Sequence, residues 1–193
     1  MGRVVVMQQI SLDGYIEGPG GDIGWHLVDD EVHAHFNEVL APLGAQLMGR
    51  ATYEVMEPFW PTADADPEAP AVMREYAAVY RRTPKIVYSR TLQQGDLGPG
   101  AELVRDVDRE QVRALQQRFD GDLGVGGARL ASAFRRLDLV DRWRVYVHPV
   151  VIGGGTPLFA PADGPLSLDL VETRRFGNGV VLLHYARSSA GSS

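Results

Sequence analysis

The sequence predicts an α/β fold, in which helices pack against a mixed, mostly parallel sheet that ends in an antiparallel hairpin. Three observations lead to this prediction. Runs rich in β-branched residues alternate along the chain with amphipathic segments of helical length. Gly177-Asn178-Gly179 separates the last two apolar runs by a short turn, as in a hairpin. The 193 residues, 45% of them hydrophobic, suffice for one domain with a sizeable core.

The first half of the chain alternates predicted strands and helices. Arg3 to Ile10 has the composition of a buried parallel strand, and a loop rich in turn residues follows it. Asp29-Asp30-Glu31 places acids where the helix dipole favours them, at the start of a helix with one apolar face. The later predictions are a strand at 45–48, a helix at 50–57, an acidic, proline-rich surface loop at 58–70, a helix at 71–82 and a strand at 85–88.

The second half repeats this alternation. The small, polar residues from Ser188 to Ser193 predict a disordered tail, so the chain divides into a single domain at 1–187 and a tail at 188–193. The predicted strands are 103–104, 123–125, 143–152 and the hairpin pair 168–176 and 180–186, and the predicted helices are 109–119 and 128–137.

Composition and charge exclude several classes of function. A net charge of -6 and a pI near 5.3 argue against a nucleic-acid partner, because proteins that bind phosphate backbones usually present basic surface. The absence of cysteine excludes disulfides, thiolate nucleophiles and cysteine-ligated metals, and it is compatible with a reducing compartment. The first apolar run is too short for a signal peptide or a membrane span. We therefore expect a cytoplasmic protein without a membrane partner.

Three predicted strand ends carry groups suited to an anion. Gly126-Gly127 joins a strand to a helix, where a phosphate can approach backbone N–H groups at the positive end of the helix dipole. The same glycines also fit a tight turn with positive φ, and spacing alone does not decide between the two. Gly49-Arg50 with Thr52, and Ser89-Arg90, add hydroxyls and guanidinium groups, although each also fits a capped helix or a turn with a solvated arginine. Together they predict a cradle for an extended, phosphorylated cofactor.

Other signals are weaker. Glu31, His35 and Glu38 share one helix face, but no second ligand cluster accompanies them, so no metal site is predicted. Trp25 stands in the long first loop and is a candidate for stacking on a ligand. The commonest hydrolase, nucleotidase and metalloprotease motifs do not occur.

Six motifs in order resemble the dihydrofolate-reductase-like superfamily, most closely stand-alone relatives of the reductase domain of bacterial riboflavin biosynthesis. The resemblance covers nearly the whole chain. It implies a three-layer fold with an eight-stranded sheet between helices, NADPH as cofactor, a small-molecule substrate and a homodimer. The motifs are Ser11-Leu12-Asp13-Gly14-Tyr15-Ile16, Met48-Gly49-Arg50-Ala51-Thr52-Tyr53-Glu54, Lys85-Ile86-Val87-Tyr88-Ser89-Arg90, Gly126-Gly127-Ala128-Arg129-Leu130, Leu139-Val140-Asp141 and the stretch from His148 to Phe159.

The resemblance also implies roles for individual residues at these strand ends. Ile16 would lie near the nicotinamide, and Ser89 and Arg90 would face the adenosine 2′-phosphate. The remaining phosphates would be held by Gly49, Arg50 and Thr52 on one side and by Gly126, Gly127, Ala128 and Arg129 at a helix N-terminus.

At the substrate site this sequence departs from the family pattern. Dihydrofolate reductases carry a carboxylate early in the first helix that anchors the pterin and assists its protonation, and counting from Trp25 selects Asp30 as the catalytic residue, with Asp29 in reserve. Val147 stands where folate reductases carry a threonine, and Val125 where riboflavin reductase domains carry a glutamate. The resemblance therefore predicts the reaction type better than the substrate.

Two functions from different classes follow. The first is a reductase that transfers hydride from NADPH to a C=N or C=O bond of a pterin-, pyrimidine- or ribose-like molecule. The second is an NADPH-binding module without catalytic activity, which the missing threonine keeps open. An interaction scaffold has only the proline-rich loop in its favour. The apolar stretch from Val145 to Phe159 contributes either to a dimer surface or to a buried strand.

Overall fold

The structure is a computed structural model that describes residues 2–159 and 164–188. Apart from Ser188, the predicted disordered tail lies outside these residues. Among the described residues, none of the helices combines the length and the apolar character needed to cross a membrane. The strands are β1 (Val4–Ser11), β2 (Tyr15–Glu17), β3 (Ala45–Gly49), β4 (Lys85–Tyr88), β5 (Ala101–Val104), β6 (Leu123–Gly126), β7 (Arg142–His148), β8 (Thr156–Pro157), β9 (Leu168–Arg175) and β10 (Val181–Arg187), and the helices are α1 (Asp30–Leu40), α2 (Arg50–Met56), α3 (Ala71–Arg82), α4 (Arg109–Arg118) and α5 (Ala128–Arg136).

Eight of these strands form one mixed sheet in the order β5-β4-β3-β6-β1-β7-β10-β9. The strands from β5 to β7 in that order run parallel, whereas β10 pairs antiparallel with both β7 and β9. The predicted α/β class, the eight-stranded sheet and its C-terminal hairpin are confirmed. Because the parallel strands all end at one edge, the turns after β1, β3, β4 and β6 lie on the same side of the molecule.

Helices cover both faces of the sheet and complete three layers. Alternate residues of a strand point to opposite faces, so Leu47 and Ile86 pack in the cluster that includes α4 and α5, whereas Met48 and Val87 pack in the cluster that includes α3. On the second face, Val32 of α1 packs against β7 and β10. The space between α1, α2 and the edge of the sheet is therefore enclosed by helices and strands rather than by loops alone.

β7 ends at His148 rather than at Ile152, where the predicted strand ends. Pro149 has no N–H to donate to a sheet ladder, and the Val150 N–H donates back to the His148 carbonyl at 2.8 Å. The chain leaves the sheet at this point and runs beside the loop that follows β1.

That first loop is tied down by a small second sheet. β2 pairs antiparallel with β8, and the Asp13 carboxylate accepts the N–H groups of Ile152 and Gly153 at 3.2 and 2.8 Å. A hydrogen bond with the Ser11 side chain, together with these amides, lowers the pKa of Asp13. Strands of two or three residues are too short to show an alternating pattern, so the sequence predicts only a loop here.

Candidate functional site

A cavity of about 590 Å³ opens beside β1, β2, α1, α2 and the turn between β6 and α5. It lies where the carboxyl ends of the parallel strands meet the two helices of one face. Open α/β sheets bind ligands at this edge. The cavity is therefore the candidate functional site.

Four residues predicted to contact a cofactor line this cavity: Ile16, Thr52, Gly126 and Gly127. Gly127 has φ of 97°, and a Cβ at this position would lie 2.9 Å from Thr52 Oγ1. The glycines therefore form a tight turn with positive φ, which is the second interpretation of their spacing. Gly127 is also the N-cap of α5 and has no side chain to bond the first amides of the helix. An anion can bond these N–H groups instead.

The three predicted arginines lie outside the wall of the cavity, and Arg50 and Arg90 already have partners. Arg50 Nη1 donates to Glu54 at 3.1 Å, and Arg90 Nε donates to Asp106 at 2.8 Å. Both pairs are solvent-exposed, with the Arg90 side chain 79% exposed, so each pair contributes little stability and can be exchanged for a phosphate. Arg129 is exposed in the first turn of α5.

Three further predicted residues build the backbone around the site. Ser89 is buried, and its hydroxyl accepts the N–H groups of Thr91 and Leu92 at 3.2 and 3.1 Å, which fixes the turn after β4. Gly49 is the N-cap of α2, and Ala128 is buried at the start of α5. Direct contact of these residues with a cofactor stays a prediction.

The two acids predicted at the start of α1 differ in position. Asp29 is the N-cap of the helix and accepts the Val32 N–H at 3.0 Å. Asp30 is exposed in the first turn and does not belong to the described wall of the cavity, so its catalytic role stays a prediction.

Glu17 is the one carboxylate among the described residues that line the cavity. Its Oε1 accepts a hydrogen bond from Thr156 Oγ1 at 2.7 Å, across the pair of β2 and β8. Sequence reasoning missed this residue, because its position depends on two short strands that are far apart in the chain.

Two imidazoles stack beside the cavity, and of the two only His26 is a lining residue. The rings of His26 and His148 lie 5.3 Å apart at 21°, and Trp25 packs edge-on against both rings instead of lining the cavity. Burial, with a smaller effect of His26, lowers the pKa of His148 to about 4. Burial also lowers the pKa of His26. Both rings are therefore neutral at pH 7.

The part of the cavity between α1, α2 and α3 is apolar and aromatic. We call it the aromatic lobe, and its lining residues are Phe36, Leu40, Met56, Trp60 and Tyr76. The rings of Trp60 and Tyr76 meet edge to face at 4.5 Å. A planar ring can pack against such a surface without losing any hydrogen bonds.

The helix face that was considered for a metal instead holds the C-terminal hairpin. Glu31 accepts the Gly177 N–H at 2.8 Å, and Arg174 donates to His35 Nδ1 at 3.2 Å. Within residues 2–159 and 164–188, no group of three or more histidine, aspartate or glutamate side chains is arranged to hold a metal ion.

Comparison with known sequences finds relatives over nearly the whole chain. Residues 3–182 match the family described as RibD C-terminal domain. The uncharacterized protein YyaP of Bacillus subtilis strain 168 is 32% identical over 184 residues, which span 95% of this chain and 94% of YyaP. The uncharacterized protein YwjB of the same strain is 27% identical over 191 residues, or 96% of this chain and 98% of YwjB.

Solved structures share the fold at low sequence identity. A Shewanella sp. PV-4 protein with a proposed role in riboflavin biosynthesis superposes with a TM-score of 0.73 at 22% identity, over 97% of this chain and 99% of that chain. A pyrimidine reductase-like protein of Corynebacterium diphtheriae gives 0.65 at 13% identity, over 97% and 92%. A diaminohydroxyphosphoribosylaminopyrimidine deaminase/5-amino-6-(5-phosphoribosylamino)uracil reductase of Thermotoga maritima gives 0.66 at 18% identity, over 97% of this chain and 57% of that chain.

Proposed function

The chain belongs to the RibD C-terminal domain family, and from that premise we propose that it is an NADPH-dependent reductase of a small molecule. Membership supports a reductase of the riboflavin-biosynthesis type within the dihydrofolate-reductase-like superfamily. NADPH supplies a hydride when bound, and the acceptor is a C=N or C=O bond of a pterin-, pyrimidine- or ribose-like compound. The observation that carries the proposal is that Ile16, Thr52 and Gly127 line one cavity at the carboxyl edge of the sheet.

The glycine turn fits the phosphates of a dinucleotide. The positive φ of Gly127 and its close approach to Thr52 leave no room for a side chain between the backbone and the cavity. The first amides of α5 then bind a phosphate together with the Thr52 hydroxyl. Arg90 would exchange Asp106 for the 2′-phosphate of NADPH, because a guanidinium forms stronger charge-assisted bonds with phosphate.

The chain must also supply a proton. Reduction of a C=N or C=O bond needs a proton beside the hydride, and a carboxylic acid in the cavity suits that role. Asp30 is the candidate from the sequence, whereas Glu17 is the carboxylate that lines the cavity. We therefore propose Glu17 as the group closest to the chemistry and keep Asp30 as the alternative.

Ligand binding and turnover together test this function. Thermal unfolding with NADPH, NADH, folates and flavins reports which ligand stabilises the fold. NADPH oxidation is then followed with pterin, quinone and nitro compounds as acceptors. Stabilisation by NADPH together with steady oxidation supports the reductase. Stabilisation without oxidation favours the NADPH-binding module without activity, and absence of stabilisation by either nucleotide overturns both.

We also propose that the protein is a homodimer. In the stretch from Val145 to Phe159, residues 145–148 belong to β7, so this part is the buried strand of the two interpretations given above. At its other end, Val151 and Phe159 are exposed. Exposed apolar side chains favour a protein partner, and a second copy of this chain is the partner that the family resemblance implies.

A further inference from the structure

The proposed reductase site has almost no charge in its wall. The described residues that line the cavity include no arginine or lysine, and Glu17 is the only aspartate or glutamate among them. Arg50 and Arg90, which could hold a phosphate, lie outside the wall and are assigned to the cofactor. A phosphate or carboxylate on the substrate would therefore lose its hydration without gaining a cation.

The aromatic lobe favours a flat, apolar molecule. Trp60 and Tyr76 form one wall with their rings perpendicular, and Phe36 packs edge to face against Tyr146 at 4.7 Å. Leu40 belongs to the same lobe. Such a surface gains free energy from apolar contact and offers nothing to a sugar phosphate.

The histidines of the wall do not supply a cation either. Burial lowers the pKa values of His26 and His33, so both rings are neutral at pH 7. The wall therefore matches a ligand without charge.

We propose that the substrate of this reductase is an uncharged, planar carbonyl compound without a phosphate group, bound in the aromatic lobe. This inference rests on the proposed function and narrows it to one class of acceptor. In the reaction of a quinone, for example, one hydride from NADPH and one proton convert the quinone to a hydroquinone, and NADPH becomes NADP⁺. Two electrons and two hydrogens are thereby accounted for.

A pair of ligands that differ in one negative charge tests the inference. 1,4-Naphthoquinone and its 2-sulfonate are titrated by calorimetry, with and without NADP⁺, so that no turnover occurs. The chain contains no cysteine that could add to the quinone. The uncharged compound should bind at least about tenfold more tightly, because the sulfonate is desolvated without a cation. Equal or tighter binding of the sulfonate, or binding of neither compound, overturns the inference.

A charge added to the wall provides the matched comparison. Val55 lines the cavity and is 63% exposed, so Val55→Arg can fold normally and should raise sulfonate affinity about tenfold. Leu170→Arg adds the same charge at an exposed position of β9 and should leave both affinities unchanged. An unchanged preference in Val55→Arg overturns the inference.

The outcome is separable from that of the proposed function. If naphthoquinone binds selectively but NADPH neither binds nor is oxidised, the reductase proposal fails and the cavity remains a site for uncharged rings. If NADPH is bound and oxidised but the sulfonate binds more tightly, the reductase stands and this inference fails.

Discussion

His148 and Gln9 connect β7 to β1 through a hydrogen bond of 3.0 Å between His148 Nε2 and Gln9 Oε1. His148 Nδ1 accepts the Leu27 N–H at 3.0 Å, so the neutral ring carries its proton on Nε2 and uses both nitrogens. A second proton on Nδ1 would point at the Leu27 N–H and break that bond. The buried ring therefore links the cavity wall to the segment before α1 only while it is neutral.

Acidification should destabilise the fold through His148. With a pKa of about 4 in the folded protein and 6.5 as the ordinary value, the unfolded state binds more protons between these two values. The stabilisation is therefore complete above pH 6.5 and is lost as the pH falls toward 4. At 1.36 kcal/mol per pKa unit, the loss is at most about 3 kcal/mol.

Urea unfolding of the native protein and of His148→Asn, measured from pH 7 to pH 4, checks this prediction. Asparagine keeps an acceptor for the Leu27 N–H and does not titrate. The other histidines with lowered pKa values are common to both proteins, so the difference in unfolding free energy isolates His148. This difference should shrink as the pH falls, and two parallel curves would contradict the assignment.

The main sheet could be predicted because its signals are local. β1 begins with three consecutive valines, β4 contains Ile86-Val87, and the turn around Asn178 marks the last hairpin. The glycine turn at Gly127 was also visible, since a strand, two glycines and a helix follow one another in sequence. Local pattern was sufficient wherever burial and turn chemistry agreed.

The rest of the cavity depends on contacts between distant parts of the chain. Glu17 reaches it because β2 pairs with β8, and Thr156 lies 139 residues away. Tyr146 resembles any core aromatic residue of a buried strand, and only the packed structure shows that its hydroxyl has no partner among the described residues. Neither the pairing of short strands nor the satisfaction of a buried hydroxyl leaves a periodic signal in the sequence.

Arg90→Ala should erode the preference for NADPH over NADH. A charge-assisted contact with the 2′-phosphate contributes about 1.5–3 kcal/mol, or roughly ten- to hundredfold in affinity. NADH lacks this phosphate, so its affinity should be unchanged. Arg118→Ala removes an arginine from a comparable exposed pair with Glu102 on α4 and β5 and serves as the control. Equal losses for both nucleotides in titrations of Arg90→Ala would place the arginine elsewhere.

Gly127→Ala should weaken both the fold and the cofactor site. A φ of 97° is strained for alanine, which costs about 1–3 kcal/mol. The added methyl group also meets Thr52 Oγ1 at 2.9 Å and blocks the approach of a phosphate. Gly95→Ala is the matched control, because a Cβ at that position has nothing within 4 Å. Urea unfolding and NADPH titration measure the two effects, and unchanged NADPH affinity in Gly127→Ala would remove the turn from the cofactor site.

The proposed homodimer should sediment with about twice the chain mass of 21.1 kDa at micromolar concentration. Val151 is 66% exposed, so Val151→Asp can fold normally while it places a charge in the proposed contact. This variant should shift the population toward the monomer. A 21.1 kDa species for the native protein at the same concentration would contradict the dimer.

The source of the proton can be decided by two near-isosteric variants. Glu17→Gln keeps an oxygen for the hydrogen bond from Thr156 and removes the titrating group from the cavity wall. We expect turnover to fall by about 10²-fold or more, with NADPH binding retained. Asp30 is exposed and lies outside that wall. Its effect on the wall is indirect, because its charge raises the pKa of the lining residue His33, whereas burial lowers this pKa by more. Asp30→Asn should therefore change turnover little. Loss of turnover in Asp30→Asn with normal activity in Glu17→Gln would return the role to Asp30, and the segment from Leu12 to Gly24 would then have to close over the start of α1 during catalysis.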